Sequence, residues 1–323
     1  MTQRRRGELL VIGGSEKKDS DEERAILRQA ARKALEEEGG RIVVLTVASM
    51  EPEPLAEIYQ KAFGRLGVRQ MEVLDIRNRE QAYEPANVEK LAGASVLFFT
   101  GGDQLRITSQ MGGSPLLERI FALHEEGAAI VGTSAGAAAM SETMLIGGPT
   151  NRSCLSTLAM APGLGLLKGV VVDSHFTERG RFARLMGAVA QNPHNLGIGL
   201  DEDTAVLVSE NDEELTVLGS GAVYVIDGRG IRFTSLSERH PERILTVHDA
   251  RVHVLGRGDR YNLKERRPIV PSLEKSDAGG GRALQERSER HGTEDPRDEQ
   301  EWERQDGTGV HGAAPHPDSA AER

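Results

Sequence analysis

Short apolar runs alternate with amphipathic segments through the first part of the chain. Five runs are the size of strands and have few polar positions: residues 8–12, 42–46, 71–76, 95–100 and 129–133. Between the first two, Ala25, Leu27, Ala31 and Leu35 recur at helical spacing. The same reasoning predicts helices at 22–38, 54–66, 88–91 and 116–126. Apolar strands joined by helices are typical of a parallel sheet with helices on both faces.

The pattern changes after residue 134. Strand-like runs follow with short turns between them, and one helix, predicted at 182–190, interrupts the series. The runs cover residues 169–173, 196–200, 205–209, 215–218 and 222–226. The predicted fold class is therefore α/β, with a mainly parallel sheet, helices on both faces, and a partly antiparallel C-terminal extension of the same sheet.

A change in composition predicts the end of the folded domain. Beyond about residue 270 apolar residues almost vanish, and Gly, Pro, Glu, Arg and Asp dominate to the end of the chain. Such a segment has too little apolar surface to offset the entropy lost on ordering. We therefore expect a folded α/β domain over residues 7–268 and a disordered, charged tail over 272–323.

Charge and cysteine content narrow the classes of function. The 323 residues carry a formal net charge of -10, which argues against a nucleic-acid-binding surface. No apolar stretch has the length of a signal-peptide core or a membrane span, so we expect no membrane association and a cytoplasmic location. Cys154 is the single cysteine. It permits no intramolecular disulfide and no cysteine-based metal site, and we expect no metal or cofactor.

The most informative motif is Gly132-Thr133-Ser134-Ala135-Gly136. It follows the apolar run 128–131 and precedes a run of small residues, which predicts a strand, a tight turn and a helix. Flanking glycines permit a sharp bend that exposes the serine hydroxyl above backbone N–H groups. A turn of small residues that only permits close packing is the alternative.

A nucleophilic serine needs a base, an acid and donors for the oxyanion. His175 directly follows the run 169–173, and active sites of open α/β sheets collect at the carboxyl ends of strands. The acid candidates, Asp201, Glu202 and Asp203, follow the run 196–200. A structural histidine and a solvated acidic turn are the alternatives.

Gly101 and Gly102 end the fourth predicted strand, where paired glycines let the backbone approach a substrate closely. The N–H groups of Gly102 and Ala135 are the candidate oxyanion hole. The alternative for the glycine pair is a plain turn.

These motifs together resemble a known family, the cyanophycinases, which are serine peptidases related to bacterial aspartyl dipeptidase (peptidase E). Their fold resembles the class I glutamine amidotransferase domain. The matching segments appear in the expected order: residues 10–16, 98–104, 132–136, 173–176 with the arginines that follow, and 199–205.

The resemblance implies a triad of Ser134 as nucleophile, His175 as general base and Glu202 as orienting acid. It also implies a substrate, the cyanophycin polymer, in which arginine is joined by isopeptide bonds to a polyaspartate backbone, and β-Asp-Arg dipeptides as products. The family positions around the substrate pocket match Gln104, Asp173, Ser174, Arg179, Arg181 and Arg184. Arginines suit the carboxylates of such a substrate, and Asp173 suits its guanidinium.

One position departs from the family, which often has glutamine where this chain has Ser174. The shorter side chain puts the preferred length of substrate in doubt. An aspartyl or isoaspartyl dipeptidase is the second hypothesis, and a non-catalytic binding protein on the same scaffold is the third. A homodimer is expected from the resemblance alone.

Overall fold

A computed structural model of the chain describes residues 6–16, 25–147, 158–237 and 244–270. The chain divides into two units, Met1–Val270 and Pro271–Arg323, and every described residue belongs to the first. Cys154 and the predicted tail, 272–323, lie outside the described residues.

The described helices follow the predicted ones closely, with one addition, α4. They are α1 (Ala25–Glu36), α2 (Pro52–Arg65), α3 (Pro85–Glu89), α4 (Gln104–Met111), α5 (Pro115–Glu125), α6 (Ala135–Ala139) and α7 (Phe182–Gln191). Short 3-10 helices lie at Glu80–Tyr83 and Ser235–Ser237. Among the described residues, no helix is both long and apolar enough to cross a bilayer.

The strands of the first half are those that the apolar runs predict. They are β1 (Leu9–Ile12), β2 (Arg41–Leu45), β3 (Gln70–Leu74), β4 (Val96–Phe99) and β5 (Ala129–Thr133). The later strands are β6 (Thr143–Gly147), β7 (Ala159–Pro162), β8 (Val170–Ser174), β9 (Leu196–Leu200), β10 (Thr204–Val208), β11 (Glu214–Gly219), β12 (Val223–Asp227), β13 (Phe233–Thr234), β14 (Val247–His248), β15 (Arg251–Leu255), β16 (Arg260–Asn262) and β17 (Arg267–Ile269).

The main sheet has the strand order β17-β16-β11-β10-β1-β5-β4-β2-β3. The strands β1, β5, β4, β2 and β3 are parallel neighbours. β10, β11, β16 and β17 add antiparallel strands at one edge. The predicted fold class, a mainly parallel α/β sheet with an antiparallel C-terminal extension, is therefore confirmed.

The extension is divided between two sheets, which the sequence pattern does not reveal. β8, β9, β12 and β15 form a separate four-stranded sheet, in the order β15-β12-β9-β8. In this sheet β8 and β9 are parallel, and Ser174 pairs with Leu200. The expectation of a single continuous sheet is wrong for these strands because apolar runs carry no information about which neighbour a strand selects.

The two faces of the main sheet are buried in separate clusters. Alternate residues of β1 show the division: Leu9 and Val11 belong to one cluster and Leu10 and Ile12 to the other. α1 and α2 cover the second face, while α4, α5 and α6 cover the first. Because both faces are covered, only the ends of the strands remain open for a site.

Candidate active site

Ser134 occupies the bend between β5 and α6. Its φ of 53° lies in the left-handed region, a conformation that costs a non-glycine residue about 1–3 kcal/mol. Glycines make the bend possible: a Cβ on Gly132 would lie 2.6 Å from the carbonyl carbon of Gly136, and one on Gly136 would lie 2.4 Å from the carbonyl oxygen of Phe99. The strand and helix therefore cross at a distance that only glycine allows, and the serine is presented at the carboxyl edge of the sheet.

The structure brings the three residues of the predicted triad together. Ser134 Oγ lies 2.9 Å from Nε2 of His175, and His175 Nδ1 lies 2.6 Å from Oε1 of Glu202. Ser134 ends a strand of the main sheet, whereas His175 and Glu202 follow β8 and β9 of the second sheet. The site therefore lies where the carboxyl ends of strands from both sheets meet.

The loop after β1 joins the two sheets at this point. The backbone N–H of His175 donates to the carbonyl oxygen of Gly13 at 2.9 Å. A Cβ on Gly14 would lie 2.4 Å from Cε1 of the imidazole, and the φ of Gly14 is 105°. The histidine ring therefore packs directly on a glycine backbone, which leaves no room for a side chain at position 14.

The hydrogen bond between Glu202 and His175 fixes the orientation of the imidazole. The hydrogen bond from His175, followed by one from Ser15 and the charge of Arg179, lowers the pKa of Glu202, against a desolvation that raises it. A carboxylate on Nδ1 selects the tautomer in which Nε2 is free to accept the serine proton. The imidazole is buried and the Glu202 side chain is 36% exposed. The hydrogen-bonded relay of Ser134, His175 and Glu202 therefore joins a shielded base to a partly solvated acid.

Two backbone N–H groups near Ser134 are open as donors. In the described parts of the chain, neither Gly102 N nor Ala135 N donates a hydrogen bond to any backbone or side-chain acceptor. A Cβ on Gly101 would contact Ser134 Cβ at 3.4 Å, which places the turn after β4 beside the serine. An oxyanion hole needs donors that point at the reacting oxygen and have no other partner; their role stays a prediction.

The other two acid candidates bind elsewhere. The carboxylate of Asp201 is buried and accepts bonds from Thr177 N at 3.0 Å and Thr177 Oγ1 at 2.8 Å. Asp203 accepts a bond from Ser220 Oγ at 2.6 Å. Both therefore hold loops around the site, and Glu202 is the acid of this cluster that reaches the imidazole.

The predicted pairing of Asp173 with a substrate guanidinium does not fit the geometry. Asp173 is 2% exposed. Its carboxylate binds both Nε and Nη2 of Arg184, the former at 2.8 Å, and it also accepts a bond from Arg181 Nη1 at 3.1 Å. Arg184 is itself buried. We correct the sequence-based assignment of Asp173: two guanidinium groups of the chain itself already bind its carboxylate, and Nε and Nη2 of Arg184 are engaged in that pair.

Arg179 is exposed, whereas Arg181 is half-buried. Arg181 Nη1 also donates to the carbonyl oxygen of Ser174 at 2.6 Å, which ties this arginine to the strand that carries His175. Burial lowers the pKa of Arg181, an effect that the charge of Asp173 opposes. Its Nε is buried without a hydrogen-bond partner among the described residues. Arg179 is exposed next to Glu202.

The remaining predicted substrate residues are Gln104 and Ser174. Gln104 begins α4, and its Nε2 donates to the carbonyl oxygen of Leu145 at 2.6 Å. Ser174 is buried at the end of β8. Their predicted roles in substrate binding stay predictions. Among the described residues, no three His, Cys, Asp or Glu side chains converge in a way that could hold a metal ion.

The match to known proteins agrees with this arrangement. The family model named Peptidase family S51 matches residues 9–216. The chain belongs to peptidase family S51. The matched range contains Ser134, His175 and Glu202, so this S51 chain carries the whole hydrogen-bonded relay within its family region.

Curated relatives extend the similarity over most of the chain. The chain is 39% identical over 235 residues to a protein named Cyanophycinase from Geminocystis herdmanii (strain PCC 6308), a match that covers 72% of this chain and 86% of that protein. It is 40% identical over 234 residues to a Cyanophycinase from Nostoc sp. (strain PCC 7120 / SAG 25.82 / UTEX 2576), covering 72% and 78%. The expected resemblance to the cyanophycinases is therefore confirmed, and the chain is a peptidase.

A solved structure shows the same fold. It is a peptidase from an acI-B1 Actinobacterium, with a TM-score of 0.56, 20% sequence identity, and coverage of 78% of this chain and 98% of that one.

Sequence reasoning gave no separate role to Ser15 and Glu16. They form the end of the matching segment 10–16 and follow directly after β1. The signal that was available is their position, because the loop after β1 lies at the same carboxyl edge as Ser134.

Proposed function

We propose that this chain is a serine peptidase that hydrolyses cyanophycin, with Ser134 as nucleophile, His175 as general base and Glu202 as the acid that orients it. The observation that carries the proposal is the continuous relay from Ser134 Oγ through the imidazole to Glu202, with links of 2.9 and 2.6 Å. A non-catalytic scaffold has no use for a strained serine held against an oriented imidazole.

The geometry supports hydrolysis in two steps. Ser134 Oγ attacks the scissile carbonyl carbon while its proton passes to His175 Nε2, and the N–H groups of Gly102 and Ala135 stabilise the oxyanion. The imidazolium then gives the proton to the leaving amine, which leaves an ester between the acyl part of the substrate and Ser134. Water, deprotonated by His175, attacks the ester and releases the acid together with the free serine.

The relatives support the choice of substrate. They are named cyanophycinases, and the matches cover most of their length. The substrate repeats a free carboxylate and a guanidinium. We assign the carboxylates to Arg179, which is exposed beside the relay. The products are then β-Asp-Arg dipeptides.

Digestion of purified cyanophycin, followed by mass analysis, tests this function. We expect the mass of β-Asp-Arg to accumulate with the wild-type protein and not with Ser134→Ala. An α-linked polyaspartate without arginine serves as the matched control and should resist cleavage. Cleavage of aspartyl dipeptides but not of the polymer would reassign the chain as a dipeptidase.

Arg179→Ala tests the assignment of the carboxylates. It should raise KM for the polymer about three- to tenfold with little change in kcat, because an exposed charge contributes modestly. Arg28→Ala, a surface arginine on α1, is the control. Equal KM values for both variants would contradict the role of Arg179.

We extend the proposal to a homodimer located in the cytoplasm, which rests on the family resemblance. Light scattering of the full chain at several concentrations tests the first part, and fractionation of the source cells tests the second. A monomer at all concentrations, or activity in a secreted fraction, would contradict them.

A further inference from the structure

Glu16 is a buried carboxyl group that the reaction does not use. It is 2% exposed and lies four residues beyond the end of β1, at the same edge of the sheet as Ser134. Burying a carboxyl group is costly unless hydrogen bonds satisfy its oxygens. The partners of Glu16 therefore indicate what the residue is for.

One oxygen of Glu16 is bound to the nucleophile turn. Thr133 Oγ1 donates to Glu16 Oε2 at 2.7 Å, and Thr133 directly precedes Ser134. Thr133 is 3% exposed, so water does not compete for this bond. The hydroxyl of Thr133 thus fixes the last residue of β5 before the chain enters the strained φ of Ser134.

The other oxygen is bound to the core. Tyr59 Oη donates to Glu16 Oε1 at 2.6 Å. The ring of Tyr59 packs against those of Phe98 and Phe63, with centroids 4.6 and 6.1 Å away. Burial, together with the charge and hydrogen bond of Glu16, raises the pKa of Tyr59 well above its ordinary value, so the phenol stays a donor. Glu16 is therefore held from one side by a rigid aromatic cluster.

The same loop contacts the rest of the relay. Gly13 accepts the backbone N–H of His175, Gly14 packs on the imidazole, and Ser15 hydrogen-bonds Glu202. His175 and Glu202 thus each contact residues 13–15, and Glu16 reaches the serine side of the relay through Thr133, the residue before Ser134.

We propose that Glu16 is a positioning residue, which sets Ser134 against His175 by holding the Thr133 hydroxyl to the loop of residues 13–16. The proposal rests on the proposed function, because it assigns a role within that same site. Small displacements of a nucleophile reduce the rate strongly, since a misplacement of about 1 Å lowers turnover by about a hundredfold.

Two variants that each remove one hydroxyl group distinguish a positioning role of Glu16 from a role in stability alone. Thr133→Val removes the bond on the serine side of Glu16 and keeps the shape of the side chain. Tyr59→Phe removes the bond on the core side and leaves the link between Glu16 and Thr133 in place. Each variant deprives the same carboxyl group of one hydrogen bond, so they form a matched pair.

We expect Thr133→Val to lower kcat about ten- to a hundredfold with KM unchanged, and Thr133→Ser to restore most of the loss. Tyr59→Phe should keep kcat within about threefold of the wild type while its melting temperature falls as much as that of Thr133→Val. The rate at which a fluorophosphonate labels Ser134 should follow kcat in all three variants.

The proposal is overturned if Thr133→Val retains wild-type kcat and labelling rate. It is also overturned if Tyr59→Phe loses as much of either as Thr133→Val, or if Thr133→Ser fails to restore them. The labelling rate needs no cyanophycin. A wild type that is labelled but does not cleave the polymer would therefore refute the proposed substrate and still decide the role of Glu16.

Discussion

Asp173 and His175 lie two residues apart at the end of β8, and each is the centre of a cluster of charged and polar side chains. The carboxylate of Asp173 is 2% exposed and is held by Arg181 and Arg184. The imidazole of His175 binds Ser134 on one side and Glu202, a partly exposed acid, on the other. In the first cluster the carboxylate is bound by arginines of the chain itself, whereas the second cluster ends at the hydroxyl of Ser134.

The difference separates residues that hold the strand from residues that react. A buried ion pair is destabilising when one partner is removed, because the remaining charge keeps its desolvation cost. The Asp173 cluster therefore acts on the fold, and through the bond from Arg181 to the Ser174 carbonyl it secures the residue before His175. In the proposed function the relay acts on the substrate. Variants of the two clusters should consequently lose different properties.

The largest loss of activity is expected from substitutions in the relay. His175→Ala should lower kcat/KM by about 10⁴-fold or more and leave the melting temperature near that of the wild type, because the ring contributes the base and little packing. Ser134→Ala should cost about as much, and the double variant should cost no more than either one. Additive losses in steady-state assays would contradict a shared proton-transfer step.

Arg184→Ala should have the opposite effect, a loss of stability with little loss of activity. Removing the bidentate partner of a buried carboxylate should lower the free energy of unfolding by about 3 kcal/mol, at the low end of the usual range because Arg181 remains. The folded fraction should keep its kcat/KM within about tenfold. Urea denaturation checks the first value. Arg119→Ala, which removes an exposed pair with Glu126, is the control and should change stability by less than about 1 kcal/mol.

If Arg184→Ala instead kept its stability and lost substrate affinity, the division between the clusters would be wrong. The sequence-based role of Arg184 as a reader of substrate carboxylates would then be restored.

Glu202→Gln should have a smaller effect on turnover than His175→Ala. We expect a loss of about 10²- to 10³-fold in kcat, since the base is still present but its tautomer and orientation are no longer imposed. The matched variants Asp201→Asn and Asp203→Asn alter loop contacts only. A greater loss of kcat in either of them than in Glu202→Gln would show that Glu202 is not the orienting acid.

The smallest effect concerns acid stability. The hydrogen bond from His175 lowers the pKa of Glu202 below its usual value of 4.5. An acid with a lowered pKa in the folded state stabilises it above its unfolded pKa, and this contribution disappears as the pH falls through the folded value. The difference in melting temperature between wild type and Glu202→Gln should therefore be largest near neutral pH and shrink below about pH 4.5. A difference that grows with acidification would have the wrong sign.

The main sheet and the nucleophile turn could be predicted from the sequence because both depend on local patterns. Apolar runs indicate buried strands, and glycines on both sides of Ser134 are required wherever a strand and a helix cross closely. The position of His175 after a strand likewise pointed to the carboxyl edge of a sheet.

The second sheet and the partners of Asp173 could not be predicted in the same way. Which strand lies beside β8 depends on long-range packing, and an aspartate followed by three arginines reads equally well as a substrate pocket or as an internal ion cluster. Glu16 was missed for a related reason, because its partners Thr133 and Tyr59 are distant in sequence and meet it only in the folded chain.

Peptide mapping after reaction with a fluorophosphonate tests the central claim most directly. The reagent requires a serine that an adjacent base has activated. We expect one covalent adduct, on Ser134, in the wild type and in Arg184→Ala, and its loss in His175→Ala. An adduct on another residue, or cleavage of cyanophycin at the wild-type rate after Ser134 has been fully labelled, would contradict it.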